Sequence, residues 1–291
     1  MRLFSHAGPD GRPRVGVLTA ADSGEYVELA AIAPGLPDEM GALLARPGAL
    51  ADARAAFAGA GAAPRLPLAR VRWLPLVPAP SKIVCIGLNY ADHAAEGGHA
   101  RPEYPSFFMR GPSSLVAHGA PIVRPRVSEM LDYEAELAVV IGRRARHLSA
   151  ANALDAVAGY SAFNDASVRD YQRKTSQWTI GKNFDGTGAF GPWLVTPDEL
   201  PPGATGLSIR SRLNGRVMQD ANTRDFLWNV VEALVLITEC MTLEPGDVVA
   251  TGTPAGVGHA RKPPVWMKPG DVCEIEIEGV GVLANPIADE A

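Results

Sequence analysis

The chain has 291 residues, 47% hydrophobic and 20% charged, a globular composition with enough apolar material for a sizeable core. Its formal net charge of −5 argues against nucleic acid as the main partner. The start, Met1 to His6, lacks the apolar core of a signal peptide, and no apolar run is long enough to span a bilayer. Cys85, Cys240 and Cys273 are odd in number and widely spaced, fitting neither a disulfide framework nor a zinc site. A soluble cytoplasmic protein is expected.

Residues 1–74 read as a small N-terminal domain, with a strand over 14–20 and a helix over 40–60 in an Ala/Gly/Pro-rich stretch. The prolines at 75, 78 and 80 mark an extended connector, because each biases its predecessor away from helix. Residues 75–291 read as the larger, catalytic domain, where β-branched or alternating runs predict strands at 82–88, 136–141, 207–213, 247–251 and 271–277. Helices are expected over 150–157, 167–174 and 229–240. Pro-Gly-Asp-Val occurs at 245–248 and again at 269–272, each a β-turn feeding a strand. Strands separated by turns, without regular β–α alternation, indicate a mainly-β α+β class rather than a Rossmann or TIM fold.

The most informative run is Leu131 to Gly142. On a strand, Glu134 and Glu136 share one face, about 7 Å apart, while Leu131, Tyr133, Ala135, Leu137, Val139 and Ile141 form an apolar face that should be buried. Paired carboxylates repel, and a bound cation relieves that; all-oxygen ligands favour Mg²⁺, Mn²⁺ or Ca²⁺ over zinc. An acidic solvent face is the plainer alternative. His93 and Glu96, three apart after the 82–88 strand, are neighbours on a helical turn, where a carboxylate raises the basicity of an imidazole; a surface ion pair is the alternative. Gly97 and Gly98 allow this turn to hinge as a lid. Asp165 suits either a helix N-cap or a third metal carboxylate, and Arg169 with Gln172 either a solvated helix face or a site for substrate oxygens. Lys182 lies among apolar and glycine residues, and the run from Val248 to Gly258 offers backbone N–H groups and a Thr hydroxyl to an anion, without the ending of a P-loop.

In chain order, Asn89-Tyr90 with His93 and Glu96, Glu134-x-Glu136, Asp165 with Arg169 and Gln172, Lys182, and Thr251-Gly252-Thr253-Pro254 resemble the fumarylacetoacetate hydrolase superfamily, from residue 81 to the C-terminus. Within it the chain is most similar to short bacterial acylpyruvases and 2-hydroxyhepta-2,4-diene-1,7-dioate isomerases. The resemblance implies a mixed β-sheet roll, a homodimer, and Mg²⁺ or Mn²⁺ held by Glu134, Glu136 and Asp165. It implies that His93 and Glu96 activate a water, that Lys182 is catalytic, and that Arg169, Gln172 and Thr253 bind substrate oxygens. The implied activity is hydrolysis of a C–C bond in an acylpyruvate-type 2,4-dioxo acid. The alternative is isomerisation or decarboxylation of a 2-oxo diacid, oxaloacetate included, as in aromatic catabolism. Two departures from the family pattern are Leu88, where many members carry Arg, and Arg110-Gly111-Pro112-Ser113-Ser114, where they carry Lys-Pro-Ser; both are expected close to the substrate pocket.

Overall fold

The computed structural model describes residues 1–21, 23–97, 100 and 102–291; Gly98, and with it the expected glycine hinge, lies outside the described residues. The two Pro-Gly-Asp-Val segments are matching turns. Proline supplies the first central position, Gly246 and Gly270 take φ of +86° and +89°, and the following Asp folds back on the turn. Asp247 Oδ2 accepts from Glu244 N at 2.7 Å, and Asp271 Oδ2 from Lys268 N at 2.8 Å. Each turn delivers the chain into a strand, Val248–Ala250 or Val272–Ile277.

Among the described residues the strands form two main sheets. The order in the larger is Leu66–Pro67, Glu25–Glu28, Pro13–Leu18, Arg2–Ala7, Gly188–Val195, Val157–Asp165, Ala135–Ile141, Val248–Ala250, Ile83–Gly87, Ser106–Arg110. The smaller runs Arg216–Asn222, Ser208–Leu213, Val272–Ile277, Gly281–Asp289, Ile122–Arg124. The mainly-β, mixed-sheet class read from the sequence holds. The N-terminal strands continue the larger sheet, with Leu3 opposite Leu194. One core lies between the sheets and includes Val230, Leu234 and Ile237 of the helix Val230–Cys240. The other, on the opposite face of the larger sheet, includes Met40, Leu43 and Ala53 of the N-terminal helices.

The helix Val230–Cys240 starts as its sequence indicates, with Asn229 and Glu232 forming a capping box. Three other helical expectations are corrected. The helix expected over 40–60 is two, Met40–Ala45 and Ala49–Ala58, broken at Pro47-Gly48, where Gly48 takes φ +78°. Over 150–157 only a short 3₁₀ turn, Ala153–Ala156, forms, because Val157 already enters the strand Val157–Asp165, paired on both sides. Ser167–Val168 pairs with Leu131–Asp132, so the third helix shrinks to Arg169–Gln172.

Candidate active site

The strand Ala135–Ile141 is buried on both faces. Leu137, Val139 and Ile141 enter the core between the sheets, whereas Ala138 and Val140 enter the core beneath the N-terminal segment. By alternation Glu134 and Glu136 belong to the second face, and both line a cavity of about 450 Å³. Antiparallel pairing sets Ala135 opposite Asn164, and Asp165 N donates to Glu134 O at 3.0 Å. Asp165 is thus the end of a strand and not a helix N-cap. One oxygen each from Glu134, Glu136 and Asp165 lie within 4.8 Å of one another, the triad expected from the sequence.

Three buried cations hold Glu134 and Asp165. Lys182 Nζ lies 2.6 Å from both Glu134 Oε2 and Asp165 Oδ2. Arg169 Nη2 lies 2.7 Å from Glu134 Oε1, at an angle poor for a hydrogen bond, while its Nε donates to Asp132 Oδ2 at 2.8 Å and Nη1 to Gln172 Oε1 at 2.9 Å. Arg110 Nη1 donates to Asp165 Oδ1 at 2.6 Å. Burial opposes ionisation of Glu134, yet Lys182 and Arg169 outweigh it and hold this carboxyl well below the usual carboxylate range. Glu136 is the opposite case: burial, with Asp165 and Glu134 beside it, pushes its carboxyl well up. Were all four buried carboxylates Asp132, Glu134, Glu136 and Asp165 ionised, the three cations Arg110, Arg169 and Lys182 would leave one negative charge uncompensated, which is why Glu136 is pushed up. Glu136 Oε2 accepts from Gly252 N at 2.9 Å, and its second oxygen has no donor among the described residues. An all-oxygen donor set with surplus negative charge fits a hard divalent cation.

The glycine-rich loop after Val248–Ala250 uses its amides on the protein's own carboxylates. Gly252 N serves Glu136, Gly256 N donates to both oxygens of Glu96 at 3.0 Å, and Asp132 takes Gly258 N at 2.7 Å and His259 N at 3.0 Å. The anions that these amides meet are thus side chains of the site itself. A Cβ on Gly258 would sit 1.9 Å from Val265 O and 2.6 Å from Asp132 Oδ1, so only glycine fits. Arg261 and Val265 buttress this loop from behind: Arg261 Nε donates to Gly256 O at 3.2 Å, and Val265 N to Gly258 O at 2.9 Å.

His93 and Glu96 share the short helix Ala91–Glu96, as expected, and His93 Nδ1 lies 3.1 Å from Glu96 Oε1. Burial works against the Glu96 charge, but the bonds from His93 and Gly256 N prevail and hold its carboxyl below its ordinary value. An ionised carboxylate only accepts, so His93 Nδ1 carries the proton and Nε2 keeps its lone pair. Thr253 and Gln172 also line the cavity; Thr253 Oγ1 accepts from Gln219 Nε2 at 2.7 Å, leaving its own hydroxyl proton to donate. Ile86, Leu88, Phe108 and Trp178 supply the apolar part of the lining, with Lys182 Nζ 5.4 Å from the centre of the Phe108 ring. Leu88 takes φ +58°, a conformation rare for leucine.

Arg169 lines the cavity, but each nitrogen of its guanidinium is engaged with Asp132, Glu134 or Gln172. Arg110 is fully buried behind Asp165, its other nitrogens donating to Ser114 Oγ and Thr187 Oγ1. Asp132 and His259 were missed by the reading of the sequence. A signal for Asp132 existed: Asp132, Glu134 and Glu136 alternate, so all three fall on one strand face. His259 carries no local signal, because the Asp132 contact that orients it spans 127 residues.

The sheet architecture and the buried triad define a class of proteins, and the comparisons agree. The fumarylacetoacetate (FAA) hydrolase C-terminal family matches residues 82–288, and the chain belongs to the fumarylacetoacetate hydrolase family. It is 39% identical over 290 residues to the mitochondrial oxaloacetate tautomerase Fahd2a of Rattus norvegicus, covering 99% of this chain and 91% of that one. A fumarylacetoacetate hydrolase from Exiguobacterium antarcticum superposes with TM-score 0.84 at 37% identity, covering 100% of both chains. Maleylpyruvate hydrolase from Sphingobium sp. SYK-6, solved with manganese(II) and pyruvate, superposes with TM-score 0.81 at 30% identity, again covering 100% of both. No helix among the described residues is long and apolar enough to cross a membrane.

Proposed function

We propose that this chain interconverts the enol and keto forms of a small 2-oxo dicarboxylate of the oxaloacetate class, using Mg²⁺ or Mn²⁺ held by Glu134, Glu136 and Asp165. The observation that carries this reading is that His93, paired with Glu96, lines one cavity with Glu134 and Glu136 of the acidic triad. The near full-length likeness to oxaloacetate tautomerases supports it. When bound, the cation supplies a Lewis acid that stabilises negative charge developing on the 2-oxo oxygen. Glu96 keeps the His93 proton on Nδ1, so Nε2 is free to take or return a proton at the substrate. Lys182 holds Glu134 and Asp165 in place and puts positive charge beside the forming enolate. Thr253 and Gln172 donate to substrate oxygens, and Arg169 acts one step back by fixing Gln172 and Glu134. Ile86, Leu88, Phe108 and Trp178 give the cavity an apolar portion for the substrate's carbon chain.

Metal-dependent cleavage of a 2,4-dioxo acid is the second reading, favoured by the same imidazole–carboxylate pair, which is suited to activating a water. An ultraviolet assay of oxaloacetate ketonisation with Mg²⁺, Mn²⁺ or EDTA, run beside a coupled assay for pyruvate, separates the two. Metal-dependent loss of the enol without pyruvate is expected. Pyruvate release from a 2,4-dioxo acid by an enzyme inert toward the enol overturns the first reading in favour of the second; release of pyruvate from oxaloacetate at the rate of enol loss identifies a decarboxylase.

A further inference from the structure

Asp132 is fully buried and accepts five hydrogen bonds: from Tyr133 N (2.9 Å), Gly258 N (2.7 Å), His259 N (3.0 Å), His259 Nδ1 (3.2 Å) and Arg169 Nε (2.8 Å). A buried carboxylate beside an arginine is ionised and can only accept, so His259 carries its proton on Nδ1. Its Nε2 is then the nitrogen with a lone pair, and it makes no hydrogen bond among the described residues. His259 lines the same cavity as His93, Glu134 and Glu136, with its side chain 10% exposed.

This repeats the construction of His93. In both, a carboxylate engages Nδ1, leaves Nε2 without a partner among the described residues, and the histidine lines the cavity. The two pairs are also joined through one loop, because Glu96 holds Gly256 N while Asp132 holds Gly258 N and His259 N. A histidine present only to fill space needs no such clamp.

We propose that His259 is a second catalytic acid–base residue, and that His93 and His259 between them carry the proton that distinguishes the enol from the keto form. This rests on the tautomerase reading above. In the enol the mobile proton sits on the C2 oxygen, and in the keto form it sits on C3. One imidazole, entering neutral, takes the O–H proton; the other, entering protonated, gives its proton to C3. The C2=C3 electron pair becomes the new C3–H bond as the O–H pair becomes the second C–O bond. One proton leaves the substrate and one arrives, and no oxidant or reductant is needed. The two imidazoles end with exchanged protonation states and reset through solvent.

The test uses the Mn²⁺-loaded enzyme and ketonisation of oxaloacetate enol. His259→Asn keeps an amide N–H for Asp132 and removes the titratable nitrogen, so the loop stays clamped; His259→Ala opens a space for added imidazole. The expected result is a fall in kcat of about 100-fold or more in both variants, KM within about threefold, and bound Mn²⁺ unchanged. Added imidazole should restore about tenfold or more in His259→Ala, and pyrrole, which fills the same space without accepting a proton, should not. Near wild-type kcat in His259→Asn overturns the proposal. So does a loss that imidazole fails to restore or that pyrrole restores equally, since that describes packing. Absence of ketonisation by the wild-type enzyme overturns the tautomerase reading itself, and is told apart by needing no variant.

Discussion

The acidic end of the Ala135–Ile141 strand and the helix Ala91–Glu96 serve one cavity but are built in opposite ways. At the strand end, four carboxylates and three cations are buried together, each fixed by neighbours on different elements. The helix is six residues long, has no side-chain N-cap, and attaches to the site loop through the bonds from Gly256 N to Glu96. Buried charge is rigid because any displacement leaves an ion without a partner, whereas the helix is held by the packing of Tyr90 and Ala94 and by neutral bonds at Asn89, whose loss strands no buried ion. The proposed ligand carboxylates thus sit where charge fixes the structure, and the proposed acid–base pair sits where packing does.

Breaking the rigid side should have the largest effect. Glu134→Gln removes a triad carboxylate and the charge facing Lys182 and Arg169, so about 3–5 kcal/mol of stability should be lost. Mn²⁺ affinity should fall about 100-fold or more, as calorimetric titration and urea unfolding will show; a variant of wild-type stability would mean that the cluster is not paired as described. On the helix side, Glu96→Gln should lower kcat by about 100-fold or more while stability and Mn²⁺ affinity stay near wild type. Loss of metal binding in that variant would place Glu96 among the ligands and erase the contrast.

Gly258→Ala tests the loop that connects the two sides. Its Cβ would press on Val265 O and Asp132 Oδ1, so destabilisation of about 1–3 kcal/mol is expected together with reduced activity. Unchanged melting would show that the loop yields freely. The smallest effect is a dependence on pH. Glu136 titrates higher in the folded chain than its ordinary value of 4.5, so the folded state retains a proton that the unfolded state has lost. This contribution is therefore full below the ordinary value and falls as pH rises through the raised one. A bound cation takes the place of that proton, so the gain in melting temperature on adding Mg²⁺ should grow as pH rises above the ordinary carboxylate value toward the raised one. A gain independent of pH would remove Glu136 from the ligand set.

The sequence by itself determined the features that depend on local periodicity. Alternation put Glu134 and Glu136 on one face, the spacing of three joined His93 to Glu96, and Asn229 with Glu232 marked a helix start. Matching Pro-Gly-Asp-Val turns were legible for the same reason, since proline and glycine restrict the backbone where they stand. Tertiary structure alone decided which groups the buried charges meet. Arg110 meets Asp165, 55 positions away. The amides of the glycine loop meet Glu136, Glu96 and Asp132. Residues 1–74 carried no readable motif because their work is done by pairing and packing, as Leu3 against Leu194 and the core around Met40 and Leu43 illustrate. Such contacts leave no spacing in the chain: a hydrogen bond or a buried pair is chosen by proximity in space, and the residues brought together can be any distance apart in sequence.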